Sequence, residues 1–92
     1  MSNTVIGSQI KEVTATGEIE GIMYLEALTL APDGGSGTAV VTARFEPGQT
    51  KVTIATINCP SDQTVSIPFY CVGIRDLEVT TLTTSKLYVH AK

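Results

Sequence analysis

The sequence has no tryptophan, one histidine and two cysteines among its 92 residues, and only 16% of those residues are charged. Each shortage narrows the range of functions. Nucleophilic catalysis through an imidazole base could depend only on His90. A zinc site would lack ligands, because the sequence contains no Cys-x-x-Cys pair and no second histidine. A sugar-stacking surface would have no tryptophan and would depend on the three tyrosines.

The spacing of the two cysteines predicts that both are free thiols. Cys59 lies in a predicted turn and Cys71 follows a predicted strand over residues 64–70. An extended strand rises about 3.3 Å per residue, which would separate the two cysteines by roughly 30 Å. A disulfide requires Cα atoms within about 7 Å of each other. Free thiols are typical of a reducing compartment.

The charge balance argues against a nucleic-acid partner, and the lack of a long apolar run argues against a membrane partner. The formal net charge is −3, and the six basic residues are scattered along the chain. A nucleic-acid surface needs clustered Lys and Arg, so we expect no nucleic-acid partner. No basic segment with a long apolar run follows Met1, and no apolar stretch approaches the ~20 residues of a membrane span. We therefore expect synthesis in a cytoplasm and no membrane partner.

Apolar residues are plentiful for so short a chain. The mean hydropathy is +0.20 and 42% of the residues are hydrophobic. A single domain of this size that has no disulfide or metal is a candidate for burying further surface in an oligomer.

Residues 21–45 read as two strands joined by a Gly-rich turn over residues 31–37, and we predict that this hairpin is the centre of the fold. The first strand is apolar on both faces, which is typical of a central strand covered on both sides. The second strand alternates, and one of its faces is predicted to enter the core. That face carries Ala39, Val41, Ala43 and Phe45.

Further strands are predicted over residues 50–57, 64–70, 76–82 and 85–91, with a first strand near residues 9–16. Ile57 breaks the alternation of its strand, which predicts a bulge or the exit of the strand. Pro68 predicts an edge position or a strand end, because it cannot donate to a central ladder. The predicted inward residues are Val52 and Ile54, Val65, Ile67 and Phe69, Leu77 and Val79, and Leu87 and Val89.

These strands predict an all-β fold, an antiparallel β-sandwich or jelly-roll-like barrel of about seven strands. Residues 21–92 would form the β-sandwich domain. Residues 1–20 would form an N-terminal arm and a possible first strand. The arm is interpreted either as a loose tail or as a segment that orders against a neighbouring subunit.

No group of residues indicates catalysis, and we predict no catalytic, cofactor-binding or metal-binding residue. His90 is predicted to be a solvent-facing strand residue. The acidic pairs Glu18/Glu20 and Asp76/Glu78 are typical of a solvated strand face. The loop over residues 33–37 lacks the Lys-Ser/Thr and the helix of a phosphate-binding loop. The aromatic residues left for a sugar or receptor are Tyr24, Tyr70 and Tyr88.

The order of these motifs resembles the small β-sandwich virion proteins of tailed bacteriophages, which include capsid decoration (cement) proteins and head or tail accessory subunits. The resemblance covers roughly residues 21–91. It consists of Gly21-x-x-Tyr24-Leu25-x-Ala27-Leu28-Thr29-Leu30, an Asp33-Gly34-Gly35 turn, Val40-Val41-Thr42-x-Arg44, Thr64-Val65-x-Ile67-Pro68-Phe69, Gly73-Ile74-x-x-Leu77-x-Val79-Thr80-Thr81 and a closing Leu87-x-Val89.

This resemblance implies a non-enzymatic structural protein of the virion, assembled in the host cytoplasm. The foremost expectation is a decoration protein that stabilises the head by binding the major capsid protein or other virion subunits as a dimer or trimer. The alternative is a receptor- or glycan-binding module of a phage tail or head fibre.

Overall fold

The computed structural model describes residues 9–92, which form one open antiparallel sheet of six strands in the order β1-β6-β2-β5-β3-β4. The predicted all-β, sandwich-like class is confirmed. The residues described include no helix able to cross a membrane. The strands are β1 Gln9–Val13, β2 Gly17–Pro32, β3 Gly37–Arg44, β4 Val52–Cys59, β5 Val65–Thr83 and β6 Ser85–Ala91.

Two long strands, β2 and β5, belong to both halves of the sheet. The second half of β2 pairs with β6 and with the first half of β5. The first half of β2 pairs with the second half of β5, which also pairs with β3. One half of the sheet is therefore β1-β6-β2-β5 and the other is β2-β5-β3-β4. Buried residues from both halves form a single hydrophobic core.

A bulge in the β2–β5 ribbon keeps the apolar side chains of β2 inside. Leu25 pairs with Val72 and Ala27 pairs with Pro68, so three residues of β5 lie opposite Glu26. Because strand side chains alternate between faces, this irregularity shifts the alternation by one residue. The inward residues are consequently Met23 and Leu25 before the bulge and Leu28 and Leu30 after it.

The prediction that β2 is covered on both faces is wrong. Ile22 and Tyr24 lie on the outer face and are 65% and 53% exposed. The continuous apolar run of β2 arises from the change of face at the bulge, together with apolar side chains left in solvent.

The predicted hairpin of residues 21–45 is also wrong, because β5 lies between β2 and β3 in the sheet. The loop after Pro32 carries the chain past the end of β5, so that Thr38 pairs with Thr83. Because β2 pairs with β5 on that side along most of its length, β3 cannot pair with β2 there.

The inward faces of β3, β5 and β6 were predicted correctly. Ala39, Val41 and Ala43 are fully buried, as are Leu77, Val79 and Leu87, and Val89 is 2% exposed. Val65, Ile67 and Phe69 are partly buried against the core. Phe45 was wrongly placed in the core, because β3 ends at Arg44 and Phe45 is 46% exposed in the following turn.

The bulge predicted in β4 is present, but it changes which residues are buried. Val41 pairs with Ala55 and Thr42 pairs with Thr53, so Ile54 is the extra residue. The inward residues of β4 are therefore Ala55, Ile57 and Cys59, whereas Val52, predicted inside, is exposed. The bulge lies at Ile54, three residues before Ile57, the residue from which it was predicted.

The sheet has six strands because two predicted strands are one. Residues 64–70 and 76–82 both belong to β5, which continues through the intervening segment. Tyr70, Cys71 and Asp76 have φ angles of 54°, 66° and 53°, and they lie where the register with β2 shifts. Pro68 lies in the half of β5 that pairs with β2 only, which confirms the edge position predicted for it.

The corner where β5 turns into β6 consists of Thr84 alone, at φ 47°. The Thr84 carbonyl accepts a hydrogen bond of 3.0 Å from the Asp33 amide. Gly37 is buried against this corner. A Cβ atom on Gly37 would lie 2.5 Å from the Thr83 carbonyl oxygen and 2.6 Å from Ser85 Cβ, so only glycine fits there.

Candidate interaction surfaces

Two glutamates and a lysine form a cluster across strands β2 and β5. Glu18 and Glu78 lie directly opposite each other on β2 and β5. Lys51 joins them, with its Nζ 2.9 Å from Glu78 Oε1 and in contact with Glu18 Oε2. These two hydrogen bonds, led by the one to Glu18, raise the pKa of the Lys51 amine above its ordinary value. The ion pairs link the start of β4 to the β2–β5 ribbon.

Asp76 lies in a second bulge of the β2–β5 ribbon, where it alone lies opposite Glu20 and Gly21. Its carboxylate accepts a hydrogen bond of 3.0 Å from the Gly21 amide and lies 3.6 Å from Arg44 Nη1. Asp76 therefore lies in the bulge, whereas Glu78 lies in the regular ladder opposite Glu18. Glu18 and Glu20 are both exposed, as expected of a solvated strand face.

His90 lies half-buried on the outer face of β6 rather than open to solvent as predicted. Its Nε2 is 3.0 Å from the Thr29 hydroxyl, which in turn is 2.9 Å from the Ser66 hydroxyl. This chain of polar groups crosses β6, β2 and β5. Because Thr29 separates the imidazole from Ser66, the histidine is not placed to activate that hydroxyl.

Tyr88 ties the outermost strand β1 to β6. It lies opposite Glu12 and donates a hydrogen bond of 3.1 Å from its hydroxyl to Glu12 Oε2. This hydrogen bond is the main cause of the raised pKa of Tyr88, because it favours the protonated phenol.

The other predicted candidates are distributed over the molecule. The loop around Asp33 connects β2 to β3. Cys59 is buried and Cys71 is exposed, and both are free thiols, as their spacing predicted. Within residues 9–92, no group of three or more His, Cys, Asp and Glu side chains could hold a metal ion. A groove of about 200 Å³ lies between β1, β2 and β6, and its lining includes Lys11, Glu20, Ile22, Met23 and Val89.

Large apolar side chains are exposed on the outer surface of the ribbon and on β1. Tyr70 is 89% exposed, Ile10 is 66% exposed, and Ile22 and Tyr24 accompany them. The Tyr24 ring covers Gly73, its partner on β5, at 3.4 Å from the position of a Cβ atom. Tyr70 projects from the three-residue bulge, where its own φ and that of Cys71 are both positive.

Backbone edges are the second feature of this open sheet. Strands β1 and β4 are its two outer strands. Within residues 9–92, the first half of β2 and the first half of β5 each pair on one side only, apart from the hydrogen bonds between Tyr24 and Lys92. Unpaired amide and carbonyl groups at such edges can bond to another strand.

Comparison with protein-family models, curated proteins and solved structures finds no match for this chain. The assignment of function therefore depends on the surfaces themselves. Sequence reasoning missed the Lys51 cluster, since its members are distant in the chain. It placed Tyr70 outside the core, where the residue is found, but it missed the bulge from which Tyr70 projects.

Proposed function

We propose that this protein is a structural subunit of a bacteriophage virion, in the first place a capsid decoration (cement) protein. It would bind the major capsid protein or other virion subunits as a homo-oligomer and stabilise the particle. The likeness of the strand motifs to small phage β-sandwich proteins supports this proposal.

The observation that carries the proposal is the combination of open strand edges with exposed apolar side chains. Single exposed apolar residues are ordinary, but Ile22, Tyr24 and Tyr70 all lie on the same β2–β5 ribbon. Such a surface suits docking onto protein, where aromatic side chains supply contact area.

The test uses phage particles that lack this subunit. Purified protein should co-sediment with them and raise the temperature at which their heads lose DNA. Replacement of Tyr70 by serine should weaken binding, whereas replacement of Thr16, an exposed turn residue, should not. Absence of co-sedimentation would refute the virion assignment, and binding without any gain in head stability would refute the cement role alone.

A glycan- or receptor-binding module of a tail or head fibre is the second candidate function. The exposure of Tyr24 and Tyr70 favours it, because sugars stack on accessible aromatic rings. A glycan array probed with the wild-type protein and with a Tyr24→Ala/Tyr70→Ala variant tests it. Hits that disappear in the variant would support this candidate, and an array without hits would remove it.

A further inference from the structure

The four backbone edges of this sheet differ in how far they are protected against pairing. Natural edge strands are protected by charged residues, prolines, bulges or short length. Strand β1 includes the charged residues Lys11 and Glu12. The open half of β5 contains Pro68 and the bulge at Tyr70, and the open half of β2 contains Glu18, Glu20 and a bulge.

Strand β4 is the exception. It has eight residues, Val52–Cys59, with no charged residue and no proline. Its one bulge is at Ile54, so residues 55–59 pair with β3 without interruption. The nearest charge in the chain, the Lys51 amine, is held by Glu18 and Glu78. Among the residues described, β4 pairs with β3 alone.

The alternation of this segment fits a second copy of itself. Ala55, Ile57 and Cys59 face the core, whereas Thr56 and Asn58 are exposed on the outer face. An antiparallel pair centred on Ile57 would place Ala55 opposite Cys59 and Thr56 opposite Asn58 of the second copy. Apolar side chains would then continue the core face, and hydroxyl and amide groups would meet on the outer face. No like charges would be opposed.

We propose that β4 is a homodimerisation edge, at which residues 55–59 of two chains pair antiparallel about a twofold axis at Ile57. The two six-stranded sheets would become one continuous sheet of twelve strands. An isologous contact of this kind closes on itself, since each copy has one such edge. The inference deepens the proposed function by assigning its homo-oligomer to one edge and one symmetry, and the pairing itself needs no virion component.

The test is a charge exchange across the proposed pair. Thr56→Lys/Asn58→Lys places lysines opposite lysines in a homodimer, and Thr56→Glu/Asn58→Glu places glutamates opposite glutamates. Wild-type protein should sediment as two chains in analytical ultracentrifugation. Each charged variant alone should have a dissociation constant raised by at least about tenfold, and an equimolar mixture of the two should recover the dimer.

The matched control is Thr16→Lys/Thr64→Lys, which adds the same charge at two exposed loop positions and should sediment as wild type does. Because Thr38 donates a hydrogen bond of 2.8 Å to Asn58, circular dichroism must show that both charged variants fold. If a charged double variant does not fold on its own, the corresponding single substitution, Thr56→Lys or Thr56→Glu, is used in its place. The inference is overturned by a wild-type monomer at about 100 μM, by charged variants that dimerise as tightly as wild type, or by a mixture that stays monomeric.

Particle binding separates this inference from the proposed function. If the lysine variant is monomeric and still co-sediments with particles, the dimer edge and the capsid-binding surface are distinct. If wild type dimerises as described but never binds particles, the edge stands and the virion role falls.

Discussion

Replacement of Gly37 by alanine tests how closely the start of β3 approaches the β5–β6 corner. The added Cβ would lie 2.5 Å from the Thr83 carbonyl oxygen, a backbone atom that cannot rotate away. Overpacking of this kind costs about 1–3 kcal/mol. Alanine also restricts the unfolded chain, which offsets the loss by about 0.4–1 kcal/mol. We expect Gly37→Ala to lower the free energy of unfolding by about 1–2 kcal/mol.

Gly35→Ala is the matched control in the same loop. Its Cβ would meet only the Thr84 methyl group, at 3.2 Å, and a side-chain atom can move by a few tenths of an ångström. The expected change is therefore within about 0.5 kcal/mol of zero. Urea unfolding followed by circular dichroism measures both variants, and with a slope of ~1–2 kcal/mol/M the midpoint of Gly37→Ala should fall by about 1 M. A Gly37→Ala protein as stable as Gly35→Ala would refute the close approach.

Three further predictions concern the core, the ribbon bulge and the outermost strand. Leu28→Ala leaves a cavity at a fully buried position and should lower the free energy of unfolding, measured in urea, by about 2–5 kcal/mol. A decrease below about 1 kcal/mol would contradict the described core. Tyr70→Asn should raise the free energy of unfolding by about 1 kcal/mol, because asparagine tolerates a positive φ and the tyrosine ring buries little surface. A loss of stability in that variant would show that the ring packs somewhere. In a Tyr24→Phe/Tyr70→Phe background, Glu12→Gln should shift the alkaline absorbance titration of Tyr88 to lower pH, and an unchanged titration would refute their hydrogen bond.

The sign of the Tyr88 effect follows from the direction of its shift. The pKa of Tyr88 is higher in the folded chain, so its contribution to stability is fully present below the ordinary tyrosine pKa. That contribution is lost as the pH rises through the raised value. The Tyr88–Glu12 hydrogen bond is therefore expected to stop stabilising β1 at alkaline pH. Urea unfolding of the wild-type and Glu12→Gln proteins, compared at neutral and alkaline pH, measures it, and the difference between the two proteins should shrink as the pH rises.

The sequence predicted the fold class because period-two alternation is a local property. Leu77 and Val79, or Leu87 and Val89, lie two residues apart and enter the core wherever their strand is placed. Strand order is not local in this way. The wrong hairpin came from assuming that consecutive strands pair, whereas β5 has enough apolar length to pair with both β2 and β3.

The missed features are those that depend on contacts distant in sequence. Bulges at Ile54 and opposite Glu26 changed the inward residues of β4 and β2, and a bulge is defined by the partner strand as much as by its own residues. Pairing of Lys51 with Glu18 spans 33 residues and leaves no pattern along the chain. The interaction surfaces could be predicted only as a general expectation of assembly, since open edges are visible only once strand order is known.

The passage of β2 and β5 through both halves of the sheet makes those halves mutually dependent during folding. Both halves need β2 paired with β5, and that pairing brings together residues as distant as Gly17 and Val79. The entropy of closing this long loop must therefore be lost before most of the stabilising contacts form. We expect slow folding in a single cooperative step. A protease cut within β2 or β5 should therefore unfold both halves of the sheet together rather than leave one half folded.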